Sequence, residues 1–153
     1  MTPDVIEIDS PSILASLIAQ PGMRSPNAPE YDLLELSHAA LQRFAVFAPI
    51  VDQRPVGYMA VEDRTMNWYD YHGAILPGHR GEFAIGFLRY MLRLLFAEEP
   101  QLTIITTHTP ANHLAAQRFN VAAGLGRMGR IPRAEDGNDF IIYGITREVF
   151  HGN

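Results

Sequence analysis

Residues 77–86 of this chain combine glycine, histidine and arginine between an apolar segment and a helical pattern. Glycine allows the backbone to approach a ligand closely, and the free N–H groups at a helix N-terminus favour an anion. Arg80 could add a charge-assisted hydrogen bond. The stretch therefore predicts a site for a phosphate-bearing ligand. An ordinary strand-to-helix turn uses the same residue types, so this reading needs support from the surrounding elements.

Candidates for proton transfer precede this stretch. Asp70 and His72 alternate along a predicted strand over residues 66–76, which would place both on one face. A neutral imidazole suits a base near neutral pH, although a histidine on a sheet surface fits the pattern equally well. Asp70 and Glu62 are alternative bases. His79 lies in the turn itself, and the remaining histidines lack the spacing of metal ligands, so no metal site is expected: His38, His108, His113 and His151.

Composition narrows the class of protein. The chain has 153 residues, 47% hydrophobic and 19% charged, which indicates one globular domain over residues 1–153. It has no cysteine and no run of 18 apolar residues, so we expect neither a disulfide framework nor a membrane helix, and a cytoplasmic location. A net charge of −5 without a basic cluster argues against nucleic acid as a partner. All 12 basic residues are arginine, which excludes lysine Schiff-base chemistry.

The first 43 residues predict a strand and two helices. Val5 to Ile8 alternate as in a strand, and Ser10 followed by Pro11 is a helix-start signal. Pro21-Gly22 should end that helix. Residues 21–31 are rich in proline and predict an exposed loop, and Asp32 to Leu41 predict a short helix.

From Phe44 onward the pattern changes to strands joined by two helices. The order β-β-β-α-β-α-β-β predicts a mixed sheet flanked by helices, an α/β fold. The strands are expected over 44–51, 56–61, 66–76, 102–107, 126–132 and 140–146, with a turn at 135–138, and the helices over 83–97 and 111–123, the latter opened by Asn112 and followed by Gly124.

These parts together resemble the GCN5-related N-acetyltransferase (GNAT) superfamily over about residues 44–150. Pro-x-x-Arg-Gly before a helix is similar to the loop that binds the acetyl-CoA pyrophosphate in that family. A second strand, then Asn112 and Ala115, and finally Gly124-Leu125 follow in the family's order. The resemblance is closest to the phage-type branch, through His72, Pro77 and Tyr143-Gly144-Ile145.

The resemblance implies a GNAT-like acyl-CoA N-acyltransferase fold and acetyl-CoA as co-substrate. It implies an acetyl-CoA site formed by Ile75, Leu76, Pro77, His79, Arg80, Gly81, Glu82, Phe83, Ala84, Ile85, Gly86, Asn112 and Phe119. The loop fits the family spacing only with one inserted residue. Either Ala84 and Gly86 fill the two small-residue positions, or Arg80 anchors the loop and Phe83 and Ile85 fall there. Many members carry a tyrosine as proton donor where Phe119 stands, or Asn120 with a one-residue shift.

The implied activity is transfer of an acetyl group from acetyl-CoA to a primary amine of a small molecule or protein. His72 and Asp70 are the catalytic candidates, and Ala74 to Leu76 are candidates for an N–H that stabilises the oxyanion. The missing tyrosine and irregular loop favour an alternative, a catalytically inactive GNAT-fold binding or structural protein, possibly phage-derived. The residues 21–31 and the region of Trp68 are expected to shape the acceptor pocket, and the apolar C-terminal strand permits a homodimer.

Overall fold

The computed structural model describes residues 2–24, 32–135 and 137–152. The chain forms two compact units, the first of Met1–Glu62 and Gly73–Ala84, the second of Asp63–His72 and Ile85–Asn153. The chain passes from one unit to the other within two strands and one helix. Most of the predicted loop at 21–31, and Asp136 of the predicted turn at 135–138, lie outside the described residues.

Antiparallel strands form the sheet of the first unit. β1 (Asp4–Ile8) pairs with β2 (Ala45–Val51), which pairs in turn with β4 (Gly57–Thr65). The two-residue β3 (Arg54–Pro55) also pairs with β2, through a tight turn at Asp52 and Gln53. Both turn residues have positive φ, 49° and 64°, the conformation of a hairpin turn that favours asparagine and glycine.

Helix α1 (Pro11–Ile18) begins as the sequence predicts, with the Ser10 hydroxyl accepting a hydrogen bond from the backbone N–H of Ile13. Helix α2 (Leu33–Arg43) is capped by the Asp32 carboxylate, which accepts from the N–H groups of Leu34 and Glu35. The helices and strands of this unit enclose a core of Ile8, Leu14, Leu17, Met23, Val46, Ala48 and Ala60.

The second unit has a mixed sheet. β5 (Trp68–Ile75), whose last residues belong to the first unit, runs parallel to β6 (Ile104–Pro110). β6 pairs antiparallel with β8 (Asn138–Thr146), which pairs with β7 (Gly126–Glu135). The predicted mixed sheet flanked by helices is confirmed.

Three helices accompany these strands. Helix α3 (Glu82–Glu98) buries residues at helical spacing, namely Ala84, Phe87, Leu88, Met91, Leu92, Leu95 and Phe96. Helix α4 (Leu114–Ala122) ends before Gly124, whose φ of +100° confirms its predicted role after the helix. Helix α5 (Arg147–Gly152), which the sequence analysis missed, begins at Arg147, and that guanidinium donates to the carbonyls of Phe96, Glu99 and Leu102.

Two predicted boundaries were wrong. β6 begins at Ile104 instead of Leu102 and continues to Pro110, because Thr103 bonds the carbonyl of Asn67 while residues up to Pro110 pair with β8. Asn112 does not open the next helix. His113 caps α4 instead, its Nδ1 accepting from the N–H of Ala116 at 3.2 Å. In the described residues, no helix has the length and apolar character needed to span a membrane.

Candidate active site

The predicted strand–turn–helix unit is present at residues 75–86. β5 ends at Ile75, a single 3-10 turn covers Pro77–His79, and α3 starts at Glu82. Gly81, directly before the helix, has a φ of +88°, a conformation that only glycine adopts without strain. The first N–H groups of α3 have no intrahelical partner and form the anion-binding end of the helix dipole.

Arg80 makes two contacts within the first unit. Its Nε donates to the carbonyl of Ile75 at 2.9 Å, and one terminal nitrogen donates to the carbonyl of Gly22 at 2.8 Å. Gly22 itself has a φ of +84°, and a Cβ there would lie 2.5 Å from Cγ of Pro77. Arg80 therefore ties the turn to the segment after α1, a structural role that the sequence analysis did not foresee.

The other predicted loop residues differ in exposure. Ile75, Leu76, His79, Phe83 and Ile85 are half-buried, and the rings of His79 and Phe83 lie 5.7 Å apart. Pro77, Gly81, Glu82 and Gly86 are exposed, whereas Ala84 is buried. Apart from its chain neighbours and the backbone of its own helix, a Cβ added at Gly86 would meet no atom of the described residues within 4 Å, so the space beside this helix position is open.

Asp70 is the buried centre of a polar cluster in the second unit. The residue is 8% exposed. Its Oδ1 accepts a hydrogen bond of 2.8 Å from the Thr106 hydroxyl, whose oxygen accepts in turn from the indole N–H of Trp68 at 2.7 Å. The guanidinium of Arg64 lies 3.7 Å from Oδ2. Burial is thus compensated by a hydrogen bond from Thr106 and a nearby positive charge, as a buried carboxylate requires.

His108 completes this cluster. Its Nδ1 lies 3.2 Å from Oδ2 of Asp70, and its ring centroid lies 5.9 Å from that of Phe140. The side chain of His108 is 26% exposed and that of Asp70 is 10% exposed. A carboxylate in close contact with one nitrogen of an imidazole that still reaches solvent is an arrangement suited to proton transfer.

The cluster lies where the two parallel strands stop pairing. Their register begins with Trp68 opposite Ile104 and ends with Tyr71 opposite Thr107, whereas β6 continues to Pro110. His108 is the first residue of β6 beyond the last pair. His72, the other predicted base, follows Tyr71 on β5 and is exposed. Asp70 and His72 therefore differ strongly in environment although they alternate on one strand.

Burial raises the pKa of the Tyr71 phenol, and the negative charge of Asp70 raises it further. Tyr71 therefore remains protonated over the physiological range. Tyr71 is buried. It lies between Asp70 and His72 in the sequence, so strand alternation directs its side chain to the opposite face of the sheet from theirs.

The candidate site residues on helix α4 and in the turn before it differ in exposure. Asn112 is exposed in the turn after β6, and Phe119 is half-buried on the helix. Asn120 is buried, 4% exposed, and its side-chain amide donates to the Thr109 hydroxyl at 2.8 Å. Asn120 therefore fastens α4 to β6, and an amide so placed is no substitute for an acidic tyrosine.

Sequence reasoning missed His108, because the predicted strand ended at Thr107 and left this histidine outside the sheet. The signal that could have found it is the parallel register. If Asp70 is opposite Thr106, the residues two positions along each strand, His72 and His108, continue the same face. Thr106 then follows as the partner of Asp70, and Trp68 as the partner of Thr106.

No protein-family model matches the chain, and no curated protein matches it by sequence. Solved structures do match it over almost its whole length. The aminoglycoside acetyltransferase AAC(6')-Ib, in a complex with paromomycin and acetyl-CoA, is 17% identical with a TM-score of 0.79, covering 99% of this chain and 97% of that one. A chimera of the Vibrio cholerae spermidine N-acetyltransferase SpeG with hSSAT is 14% identical with a TM-score of 0.81, covering all of both chains.

A GNAT-family acetyltransferase from Bacillus anthracis is also similar, at 14% identity and a TM-score of 0.75 over 94% of each chain. The fold of this chain is the GNAT fold.

The GNAT fold agrees with the order of strand, loop, helix, strand and helix that the sequence predicts between β5 and α4. At 14–17% identity the similarity comes from the backbone path and not from shared side chains. Function must therefore be argued from the site itself.

Proposed function

We propose that this protein is an N-acetyltransferase that uses acetyl-CoA to acetylate a primary amine. The observation that carries the proposal is the GNAT fold over the whole chain, shared with AAC(6')-Ib and SpeG, of which the former is bound to acetyl-CoA. The turn at Pro77–His79 and the start of α3 supply the local feature, a glycine-containing turn that leads into a helix N-terminus.

In this proposal the backbone at Ile75 to Pro77 lies along the pantetheine arm, and the N–H groups of Glu82 to Ala84 face the pyrophosphate. The open space beside Gly86 fits a ligand that approaches the first turns of α3. Asn112 and Phe119 stay predicted cofactor contacts, and Asp70 and His72 stay predicted catalytic residues.

The acceptor is an amine in both named enzymes, an aminoglycoside in one and spermidine in the other. We propose a primary amine for this chain as well, on a small molecule or a protein. The first test is calorimetry of the full chain with acetyl-CoA, followed by a CoA-release assay with spermidine and ribostamycin. Failure to bind acetyl-CoA at millimolar concentration would remove the enzyme proposal.

A second candidate is a GNAT-fold protein that binds without catalysis. It is supported by two observations, the engagement of Arg80 with Gly22 and Ile75 and the absence of a tyrosine at residues 119 and 120. Binding of acetyl-CoA without any CoA release above the rate in buffer would favour this candidate.

Three finer proposals rest on the sequence. His72, Pro77 and Tyr143-Gly144-Ile145 support the phage-type branch. The composition supports a cytoplasmic location, and the apolar β8 supports a homodimer. Sedimentation analysis of the purified protein tests the last of these directly.

A further inference from the structure

We propose that His108 is the general base of acetyl transfer and that Asp70 is the residue that positions it. The inference rests on the proposed function and assigns a catalytic role to a histidine that sequence reasoning passed over. It is carried by the contacts of five side chains within the second unit: Arg64, Trp68, Asp70, Thr106 and His108.

The hydrogen-bond directions in this cluster are determined by its donors. An indole N–H can only donate, so the oxygen of Thr106 accepts from Trp68 and its hydroxyl hydrogen is left for Asp70. Oδ1 of Asp70 is thereby occupied. Oδ2 then faces Nδ1 of His108 at 3.2 Å and the guanidinium of Arg64 at 3.7 Å, both of which are donors toward a carboxylate.

An ionised carboxylate only accepts hydrogen bonds, so the Nδ1 facing it carries a hydrogen. In the neutral imidazole the lone pair is then on Nε2. Within the described part of the chain, Nε2 of His108 has no hydrogen-bond partner from the protein. The contact of 3.2 Å with the carboxylate thus favours the tautomer of the imidazole that can accept a proton from a substrate.

The exposed fractions of the two side chains indicate that His108 is the base and Asp70 the positioning residue. The His108 side chain is 26% exposed, whereas that of Asp70 is 10% exposed, with Oδ1 hydrogen-bonded to Thr106 and Oδ2 in contact with His108 and Arg64. A substrate amine can therefore reach the imidazole more readily than the carboxylate. His108 is one residue past the last β5–β6 pair, in the part of β6 that no longer pairs with β5.

Nε2 of His108 accepts one proton from the ammonium group of the acceptor and later releases it to solvent. The neutral nitrogen forms a bond to the acetyl carbon, and the bond from that carbon to sulfur breaks. The second proton lost by the nitrogen is transferred to the CoA sulfur, so the products are an acetamide, CoA with its thiol and one proton.

The test compares His108→Gln with wild type in the CoA-release assay, with spermidine and ribostamycin as acceptors. General-base catalysis typically contributes about 10²–10⁴-fold, so kcat should fall by that factor while the affinity for acetyl-CoA in calorimetry stays unchanged. The pH profile of kcat/KM should lose one ionisation. His38→Gln, an exposed histidine on α2, is the matched control and should behave as wild type.

Two further measurements separate catalysis from folding. Added imidazole should partly restore turnover to His108→Ala, which a purely structural role does not permit. A long-range ¹H–¹⁵N spectrum of the wild type should show the hydrogen of His108 on Nδ1. In Asp70→Asn the side-chain amide can donate, so the tautomer should change and kcat should fall with it.

Turnover of His108→Gln within about threefold of wild type would overturn the assignment, since a general base contributes far more. So would a wild-type spectrum with the hydrogen on Nε2, or a loss of turnover in His72→Gln that His108→Gln does not share. A wild type that fails to bind acetyl-CoA would remove the proposed function itself, and this inference with it. Binding and turnover without the His108 effect would remove only the inference.

Discussion

A terminal guanidinium nitrogen of Arg80 lies 2.8 Å from the carbonyl oxygen of Gly22, a residue 58 positions earlier in the chain. The same side chain reaches the carbonyl of Ile75 through Nε. The residue that the sequence assigned to phosphate thus holds together two segments of the first unit.

Arg80→Ala should lower the free energy of unfolding by about 1–2 kcal/mol, since hydrogen bonds from a charged group contribute about that much when partly exposed. Arg80→Lys should recover little of this, because one ammonium nitrogen cannot reach both carbonyls in the geometry of the guanidinium fork. Urea denaturation measures both variants, with the exposed Arg54→Ala as control. Unchanged stability combined with weaker binding of acetyl-CoA would instead assign Arg80 to the phosphate.

Gly86→Ala tests whether a ligand approaches the start of α3. Beyond its neighbours in the helix, the methyl group meets no atom within 4 Å in the part of the chain that the structure describes. Alanine inside a helix should therefore stabilise the protein by about 0.5–1 kcal/mol. If acetyl-CoA lies against this position, the added methyl group should weaken its binding about tenfold in calorimetry, a cost of about 1.4 kcal/mol. Gly152→Ala, which also meets open space, is the control. A more stable variant with unchanged affinity would exclude contact at Gly86.

Gln53→Gly should stabilise the protein by about 0.5–1 kcal/mol. Gln53 has a φ of 64° in the turn between β2 and β3, where a side chain carries a steric cost that glycine avoids. Thermal and urea unfolding measure the change. Gln53→Ala keeps the Cβ and should bring no comparable gain, so equal stabilisation by both variants would contradict the strain argument.

Asn120→Ala should destabilise the protein by about 2 kcal/mol, because it leaves the buried Thr109 hydroxyl without its partner. A double-mutant cycle with Thr109→Val measures the coupling between the two side chains. Additive effects of the two substitutions would show that the hydrogen bond contributes little.

Lowering the pH should reduce the free energy of unfolding, in part because Asp139 becomes protonated. The backbone N–H of Arg133 and the guanidinium of Arg130 hold the pKa of this carboxyl below its usual value. The folded state releases the Asp139 proton more readily than the unfolded chain does. The contribution of this carboxylate to the free energy of unfolding is therefore fully present above its pKa in the unfolded chain, and it is lost as the pH falls through its pKa in the folded state.

Asp139→Asn should therefore have a lower urea midpoint than wild type at pH 7. The difference between the two midpoints should become smaller as the pH falls toward 3 and below. Asp9→Asn, an exposed aspartate outside this contact, serves as the control. A difference between Asp139→Asn and wild type that stays constant with pH would contradict the linkage.

Local signals identified most elements correctly. Ser10 before Pro11 predicted the start of α1, and Gly124 predicted the end of α4, because caps and positive φ angles depend on a few neighbouring residues. The boundaries of β6 and α4 were wrong because they depend on pairing with β8 and on the cap at His113. Neither the cross-strand partner nor the capping nitrogen is a property of the segment itself.

The sequence by itself determined the order of the elements other than β3 and α5, the turn before α3 and the likeness to the GNAT superfamily. These follow from hydrophobic period, turn chemistry and short motifs, which are local. Only the tertiary structure decided that Arg80 binds Gly22 and that Asp70 meets His108. Those contacts join residues 58 and 38 positions apart, so they depend on loop closure and strand register, which no window of the sequence contains.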